Sequence, residues 1–354
     1  MMISERLHNL EKKYKNTNII DLPSILYWKK FGNIENEIKL INKILKSVGT
    51  KIAKKWIKEF VNSTDGKHWG AWFEIRLFDW LSKIGDVEIE PEYKGNRPDF
   101  KLRVNNSDIF IEAKSFIKSQ EERRNDRLRF YLNHILSTIE YPVLIRIKKY
   151  ELGYREIDLN IVLELKKILP KLIGHDYIYE DEYGNKVHLS IIKNRYSEKA
   201  YVLGPTDYYF VNTDLLKKPL KEKSQQHSTL RNENNLYIIA LFIESANFSG
   251  QDVIDAWFGK PKYILDRKTL RILSIENDLS GLHFGKSKIF HRTVTGTIVF
   301  KISGYFKEGY RTFESWFIQN PYSNKQIDSN FFPVDHKFIL LKEKENRFIM
   351  EWKR

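Results

Sequence analysis

Cysteine is absent from the 354 residues. That excludes disulfides, thiolate zinc sites, iron–sulfur clusters and a cysteine nucleophile together, and it fits a reducing compartment. No stretch approaches the ~18 uninterrupted apolar residues of a membrane span. Residues 1–16 carry no apolar segment of the secretory kind. The chain is therefore expected to be soluble and cytoplasmic, with no membrane partner. The nine histidines include no His-Glu-x-x-His pair and no close cluster, so a zinc site is not indicated. Gly-x-Ser-x-Gly is missing too, which removes the usual serine-hydrolase elbow. Gly281-Leu282-His283-Phe284-Gly285-Lys286-Ser287 resembles a phosphate-binding loop but is one residue short, and no strong strand runs into it. It reads as a loop.

Apolar and basic residues are plentiful. Hydrophobic residues make up 42% and aromatics 14%, with 22 Phe, 19 Tyr and 8 Trp, too much apolar surface for a disordered chain. The length suffices for one large domain or two modest ones with real cores. Lys and Arg number 60 against 46 Asp and Glu, leaving +14. Such a surplus draws in polyanions at long range, and nucleic acid is the commonest of these. Charge by itself carries no functional claim.

The hydrophobic period divides the chain. Residues 1–62 read as helices, with Ile34, Ile38, Leu40, Ile41 and Leu45, then Ile52, Trp56, Ile57 and Phe60, at helical spacing. Ser63-Thr64-Asp65-Gly66 breaks that pattern and offers N-cap chemistry for a helix over about 67–84, closed by Gly85. The period then becomes two over 87–90, 99–104 and 108–114, which predicts three strands in quick succession. Asn105-Asn106-Ser107 suits a tight turn and makes the last two strands an antiparallel hairpin. Beyond them a helix near 121–139, a strand over 143–147, a helix near 159–172 and a hairpin turning at 181–185 alternate. A helix at 219–230, a strand at 236–243, a helix at 252–258 and strands at 296–302 and 313–318 follow. The expected fold class is α/β: an N-terminal helical segment over 1–62, a core over 63–150, and an α/β extension over 151–354. With no Pro/Gly/Ser-rich linker and no internal repeat, the extension is expected to pack on, or continue, the sheet of the core.

The chemistry concentrates at Pro98-Asp99 and Glu112-Ala113-Lys114. Strand alternation turns Phe110, Glu112 and Lys114 to one face and Ile109, Ile111 and Ala113 to the other. In the preceding strand Phe100, Leu102 and Val104 form the buried set. A symmetric hairpin then sets Asp99 opposite Glu112, with register the weakest step. Two adjacent carboxylates repel unless a cation lies between them, and oxygen ligands suit a hard divalent ion such as Mg²⁺. Such an ion polarises a phosphodiester and acidifies a bound water. Lys114 would stand beside that water, to orient it, to stabilise developing charge, or to act as base. A lone D…ExK string is common on solvated strands of charged chains. Here it comes with a preceding Pro, apolar alternation, hairpin spacing and an upstream acidic helix.

Taken together, Pro98-Asp99, Glu112-x-Lys114 and that helix resemble the PD-(D/E)XK (restriction-endonuclease-like) nuclease superfamily over about residues 67–147. The resemblance implies a restriction-endonuclease-like core of helix, antiparallel meander, helix and strand, with Asp99 and Glu112 as ligands of Mg²⁺ or Mn²⁺ and Lys114 as catalytic lysine. It further implies that Ala113 lends its carbonyl to the metal, and that Glu74 on the helix is the acidic residue many members carry there, although Asp79 competes for that role. Lys221, Lys223 and Gln225, before the strand at 236–243, are candidates for phosphate contact. Basic runs at Lys51, Lys54 and Lys55 with Trp56, and at Arg123, Arg124, Arg127 and Arg129, could line a nucleic-acid groove. The implied activity is a metal-dependent endonuclease, acting on DNA more than RNA, in defence, restriction or repair, as a homodimer or with a defence-system partner protein. A non-catalytic nucleic-acid-binding module and an RNA-directed nuclease are the alternatives.

Overall fold

The computed structural model describes residues 3–31, 34–105, 107–151, 160–196, 198–203, 213–226, 235–244, 248–265, 272–277, 282, 294–302, 313–328, 330–344 and 347–353. Among these the chain is mixed α/β, with nine α-helices and fourteen strands. The N-terminal part is helical: α1 (Ile3–Lys13), a 3-10 turn (Ile19–Asp21), α2 (Ser24–Phe31), α3 (Glu35–Leu45) and α4 (Thr50–Phe60). Next come α5 (Asp65–Leu81), β1 (Asp86–Ile89), β2 (Phe100–Val104) and β3 (Ser107–Phe116). The middle of the chain holds α6 (Gln120–Leu136), β4 (Val143–Glu151), α7 (Asn160–Leu172), β5 (Asp176–Glu180), β6 (Lys186–Lys193) and β7 (Tyr201–Leu203). The last part contains α8 (Asp214–Gln225), β8 (Leu236–Ile243), α9 (Gly250–Phe258), β9 (Pro261–Leu265), β10 (Ile272–Asn277), β11 (Gly296–Ile302), β12 (Phe313–Gln319), β13 (His336–Lys344) and β14 (Arg347–Lys353). Two compact units result: residues 1–8, 28–117 and 210–354 form the first, and residues 9–27 and 118–209 the second.

The first unit is built on an eight-stranded mixed sheet in the order β1-β2-β3-β8-β11-β12-β13-β14. The β2–β3 hairpin pairs Phe100 with Ile111, Leu102 with Ile109 and Val104 with Ser107, the expected register. Asn105 sits at φ 48 in its turn, a left-handed conformation that Asn tolerates better than most residues. β8 runs parallel to β3, and β11 parallel to β8. β8 is almost wholly buried, as its unbroken apolar sequence requires of a strand covered on both faces. One of those faces carries α5, whose Trp69, Trp72 and Phe73 rings pack around Phe242, while Trp28 stacks on Trp69. On the other, Phe110, Tyr237, Ile239 and Leu241 share a core with Leu216 and Leu220 of α8 and with Val253, Ile254 and Trp257 of α9. α9 begins at Ser249, whose capping box with Asp252 replaces two missing backbone partners.

Two expectations change. The helix expected over 67–84 ends at Leu81, and its last turns are closed by Ile84 N–H (2.8 Å) and Gly85 N–H (3.1 Å) on the Leu81 carbonyl. Gly85 is required there by close approach: a Cβ at that position would lie 2.5 Å from the Arg103 carbonyl oxygen and from Val104 Cγ2. The helix and strand expected to complete the core after Lys114 do form, as α6 and β4, but they belong to the second unit and a different sheet. The helix–strand pair that extends the meander is α8–β8. β4 exposes Arg146 and Lys148 on alternate positions and can bury only one face, whereas β8 tolerates a place between two neighbours covered on both sides.

The second unit has a four-stranded sheet, β5-β6-β4-β7, antiparallel except where β4 meets β7. Val143, Ile145 and Ile147 of β4, Val187, Leu189 and Ile191 of β6 and Tyr179 of β5 form its buried side. The β5–β6 turn falls at 181–185 as expected, with Asp181 Oδ1 accepting from the Tyr183 and Asn185 amides and Gly184 at φ 81. The Gly281–Ser287 motif lies outside the described residues except for Leu282. Among the described residues no helix is long and apolar enough to cross a membrane.

Candidate active site

The site forms in the first unit, where β3 lies between β2 and β8. Pairing on both edges leaves β3 little room for polar side chains, yet Glu112 is 0% exposed in its middle, beside Ile239 of β8. Asp99 precedes β2, one step beyond the Phe100–Ile111 pair, and therefore comes level with Glu112. Asp99 Oδ2 accepts a hydrogen bond from the Ala113 amide at 2.8 Å, which fixes the carboxylate at the strand's flank.

The α8 helix closes over this place. Its Lys223 ammonium donates to Glu112 Oε2 at 2.6 Å and lies 3.4 Å from Asp99 Oδ2, so one cation serves both carboxylates. The neighbouring Glu222 meets Lys114, with Nζ 3.1 Å from Oε2. Glu112 and Lys114 thus reach the same helix, and Phe110 shares the core beneath it with Leu216 and Leu220. This is the one-faced arrangement expected from strand alternation. The Tyr237 hydroxyl donates to the Lys223 carbonyl at 2.8 Å and pins the end of α8 to β8.

Burial raises the Asp99 pKa first, and the charge of Glu112 beside it adds to that; Lys223 pulls the other way, Glu74 adds a further upward push, and the net result is about 7. Burial also works against the charge of Lys223, but Asp99 and Glu112 more than offset it, so the pKa of Lys223 rises. Both shifts describe a carboxylate pair that is costly without a cation and comfortable with one.

Glu74 stands in α5, on the other side of the sheet. Its Oε2 accepts from the Trp56 indole at 2.9 Å, and burial raises its pKa against the pull of Trp56 and Lys55. Its charge is felt at Asp99, so it belongs to the site's electrostatics without touching the pair. Asp79, the competing residue, is instead paired with Lys83 at 2.7 Å on the surface. Trp56 is buried and holds Glu74, Lys55 is paired with Glu90 at 2.5 Å, and Lys51 and Lys54 are exposed. Ala113 contributes its amide to Asp99. Lys221 is exposed on α8, and the side chain of Gln225 lies outside the described residues.

Arg123 and Arg124 have partners inside the chain. Both belong to the second unit and are engaged within it. Arg123 is buried, with Nη2 donating to the Lys118 carbonyl at 2.6 Å, and Arg124 Nε lies 3.1 Å from Asp21. Arg127 clamps the carbonyls of Ile20 and Leu22 and the Ser24 hydroxyl, while Arg129 pairs with Asp126. Arg127 thereby serves carbonyls at the end of the 3-10 turn, which need donors. Sequence reasoning missed Glu222 and the bridging position of Lys223. The available signal was their alternation of sign opposite that of Glu112 and Lys114.

Among the described residues, no three Asp, Glu or His side chains gather as a ready metal cage. The fit to a cation rests on the pair itself, since Asp99 and Glu112 already converge on an ammonium with hydrogen-bond distances of 2.6 and 3.4 Å. Searches of protein-family models, curated proteins and solved structures return no match to this chain.

Proposed function

We propose that this chain is a divalent-metal-dependent nuclease of the PD-(D/E)XK type, hydrolysing phosphodiester bonds in DNA in preference to RNA. The observation that carries the reading is the Asp99–Glu112 pair, Glu112 fully buried and the Asp99 side chain 30% exposed, converging on one cation, with the Lys114 ammonium on the same face of β3. A buried ion pair is weak as a stability device and can be replaced by apolar residues without loss. Its presence in the middle of a strand paired on both edges, with Glu112 fully buried, therefore points to chemistry. With α6 to β7 passed over, α5, β1–β2–β3, α8 and β8 supply a helix, a meander, a helix and a strand to the same unit, which is compatible with the core that the resemblance implies.

In this reading Asp99 and Glu112 hold Mg²⁺ or Mn²⁺, with the Ala113 carbonyl as a further ligand and Glu74 acting from the flank. When bound, the ion supplies Lewis-acid polarisation of the phosphodiester and a more acidic water. The Ala113 amide, donating to Asp99 Oδ2, fixes the orientation of a carboxylate that would help hold the ion. Lys114, held 3.1 Å from a half-exposed Glu222 carboxylate, can exchange that partner for a phosphate oxygen and stabilise the charge that develops there. The surplus of +14 assists encounter with a polyanion and makes binding weaken with salt.

A non-catalytic nucleic-acid-binding module is the second reading, and Lys223 favours it, because an ammonium already neutralises the pair. Nicking of supercoiled plasmid separates the two. Mg²⁺-dependent cleavage that falls at least about 100-fold in Asp99→Ala and in Lys114→Ala is expected of the enzyme. Salt-sensitive binding without cleavage, at any divalent ion tried, would overturn it in favour of the module.

A further inference from the structure

The geometry points to Lys223 as the resident counter-ion of the Asp99–Glu112 pair, which must leave before a divalent ion can be held there. The inference rests on the metal-dependent reading of the site and concerns how that site is loaded. Lys223 Nζ is 2.6 Å from Glu112 Oε2 and 3.4 Å from Asp99 Oδ2, on the side of the pair that faces α8. An ammonium and a divalent cation cannot share that position: both need the same carboxylate oxygens, and at such range their mutual repulsion is severe. Glu112 is fully buried, the Lys223 side chain 13% and the Asp99 side chain 30% exposed, so solvent screens the competition poorly at Glu112.

What has to move is the side chain. The Lys223 carbonyl is tied to the Tyr237 hydroxyl at 2.8 Å, and Leu216 and Leu220 hold α8 in the core, so the helix stays docked while the four-carbon stem swings away. The neighbouring pair is of a different kind. Lys114 and Glu222 are 34% and 50% exposed and separate at little cost. Consecutive α8 residues thus hold one motif partner tightly, at Glu112, and one loosely, at Lys114. Lys223 keeps the carboxylates from repelling one another while no metal is bound and sets the threshold concentration at which metal enters.

Calorimetric titration of the full-length protein with Mn²⁺ tests this. Lys223→Met and Lys223→Gln remove the competing charge and are expected to bind Mn²⁺ at least about tenfold more tightly than wild type, whereas Lys223→Arg, which keeps a cation, stays near it. If Lys223→Met folds poorly, Lys223→Gln carries the test, since its amide can still donate to Glu112; Mn²⁺ should then raise its melting temperature more than that of wild type. Unchanged or weaker Mn²⁺ binding by both neutral variants overturns the inference even if wild type is an active nuclease. Tighter binding by variants of a chain that cuts no nucleic acid upholds it and overturns the nuclease reading alone.

Discussion

The four-stranded sheet and the β3–β8 centre of the eight-stranded sheet handle charge in opposite ways. In the four-stranded sheet of the second unit, β4 alternates buried Val143, Ile145 and Ile147 with outward-facing polar residues. Its ion pairs, Lys148 with Asp176 and Lys149 with Glu151, lie at the surface. In the eight-stranded sheet of the first unit, β8 is apolar on both faces, and beside it on β3 a carboxylate of zero exposure sits against an ammonium whose side chain is 13% exposed. Surface pairs cost little to form and contribute little. A buried pair loses hydration that its own attraction only partly restores. Surface charge is uninformative about function, whereas a buried charge needs a partner: Glu37 has Trp72 and Arg76, Arg123 has the Lys118 carbonyl, and Glu112 has Lys223.

That contrast can be broken by substitution. Removing Lys223 leaves two carboxylates facing each other in a poorly solvated place, so Lys223→Met is expected to destabilise the metal-free protein by about 3 kcal/mol, measured by urea denaturation in a chelator. Saturating Mn²⁺ should restore most of the loss, because any ligand that binds only the folded form stabilises it. Full stability without metal would show that the pair is not strained by burial.

A smaller effect concerns pH. The Asp99 carboxyl titrates near 7 in the folded chain against an ordinary 3.8, so folding favours its protonated form. That contribution is complete below about 3.8 and is lost as pH rises through about 7. The melting temperature of metal-free protein should therefore fall over that interval, and Asp99→Asn should remove this part of the slope. Divalent ion reverses the sense, since it binds the ionised pair, and its stabilising effect should grow with pH. A melting temperature that rises through the interval in chelator, and rises equally in Asp99→Asn, would contradict the assignment. Smallest of all is the response to Lys148→Ala in the second unit, where melting temperature and cleavage rate are both expected to match wild type; a clear loss of stability would mean that the surface pairs matter more than their exposure implies.

The hairpin and its register were legible in the sequence because both are local. Alternation over 99–104 and 108–114 fixes which side chains share a face, and a two-residue turn with Asn105 at positive φ leaves a single register that buries Phe100, Leu102, Ile109 and Ile111 together. The proximity of Asp99 to Glu112 follows from that register. What completes the sheet was harder to read, because the parallel partner of β3 comes more than a hundred residues later and α6–β4 offers a nearer helix–strand pair. Only the difference between the unbroken apolar run of β8 and the alternation of β4 distinguishes them. Glu222 and the bridging role of Lys223 depend on how α8 is rotated over β3, and that is decided by Leu216 and Leu220 entering a core shared with Phe110 and Tyr237. Arg123 and Arg124 were ambiguous for a related reason. A basic helix face looks the same in sequence whether it meets phosphate or the carbonyls and carboxylates of its own chain.

Glu112→Gln changes one terminal atom group and keeps an acceptor for Lys223, so it probes the charge of the buried carboxylate with little change in packing. Plasmid cleavage in Mg²⁺, compared between wild type and this variant, with melting curves alongside, is the most direct measurement. The expected result is a folded variant whose cleavage is lost by at least about 100-fold. A folded Glu112→Gln protein that cuts as fast as wild type would mean that the carboxylate at the centre of the sheet takes no part in the reaction.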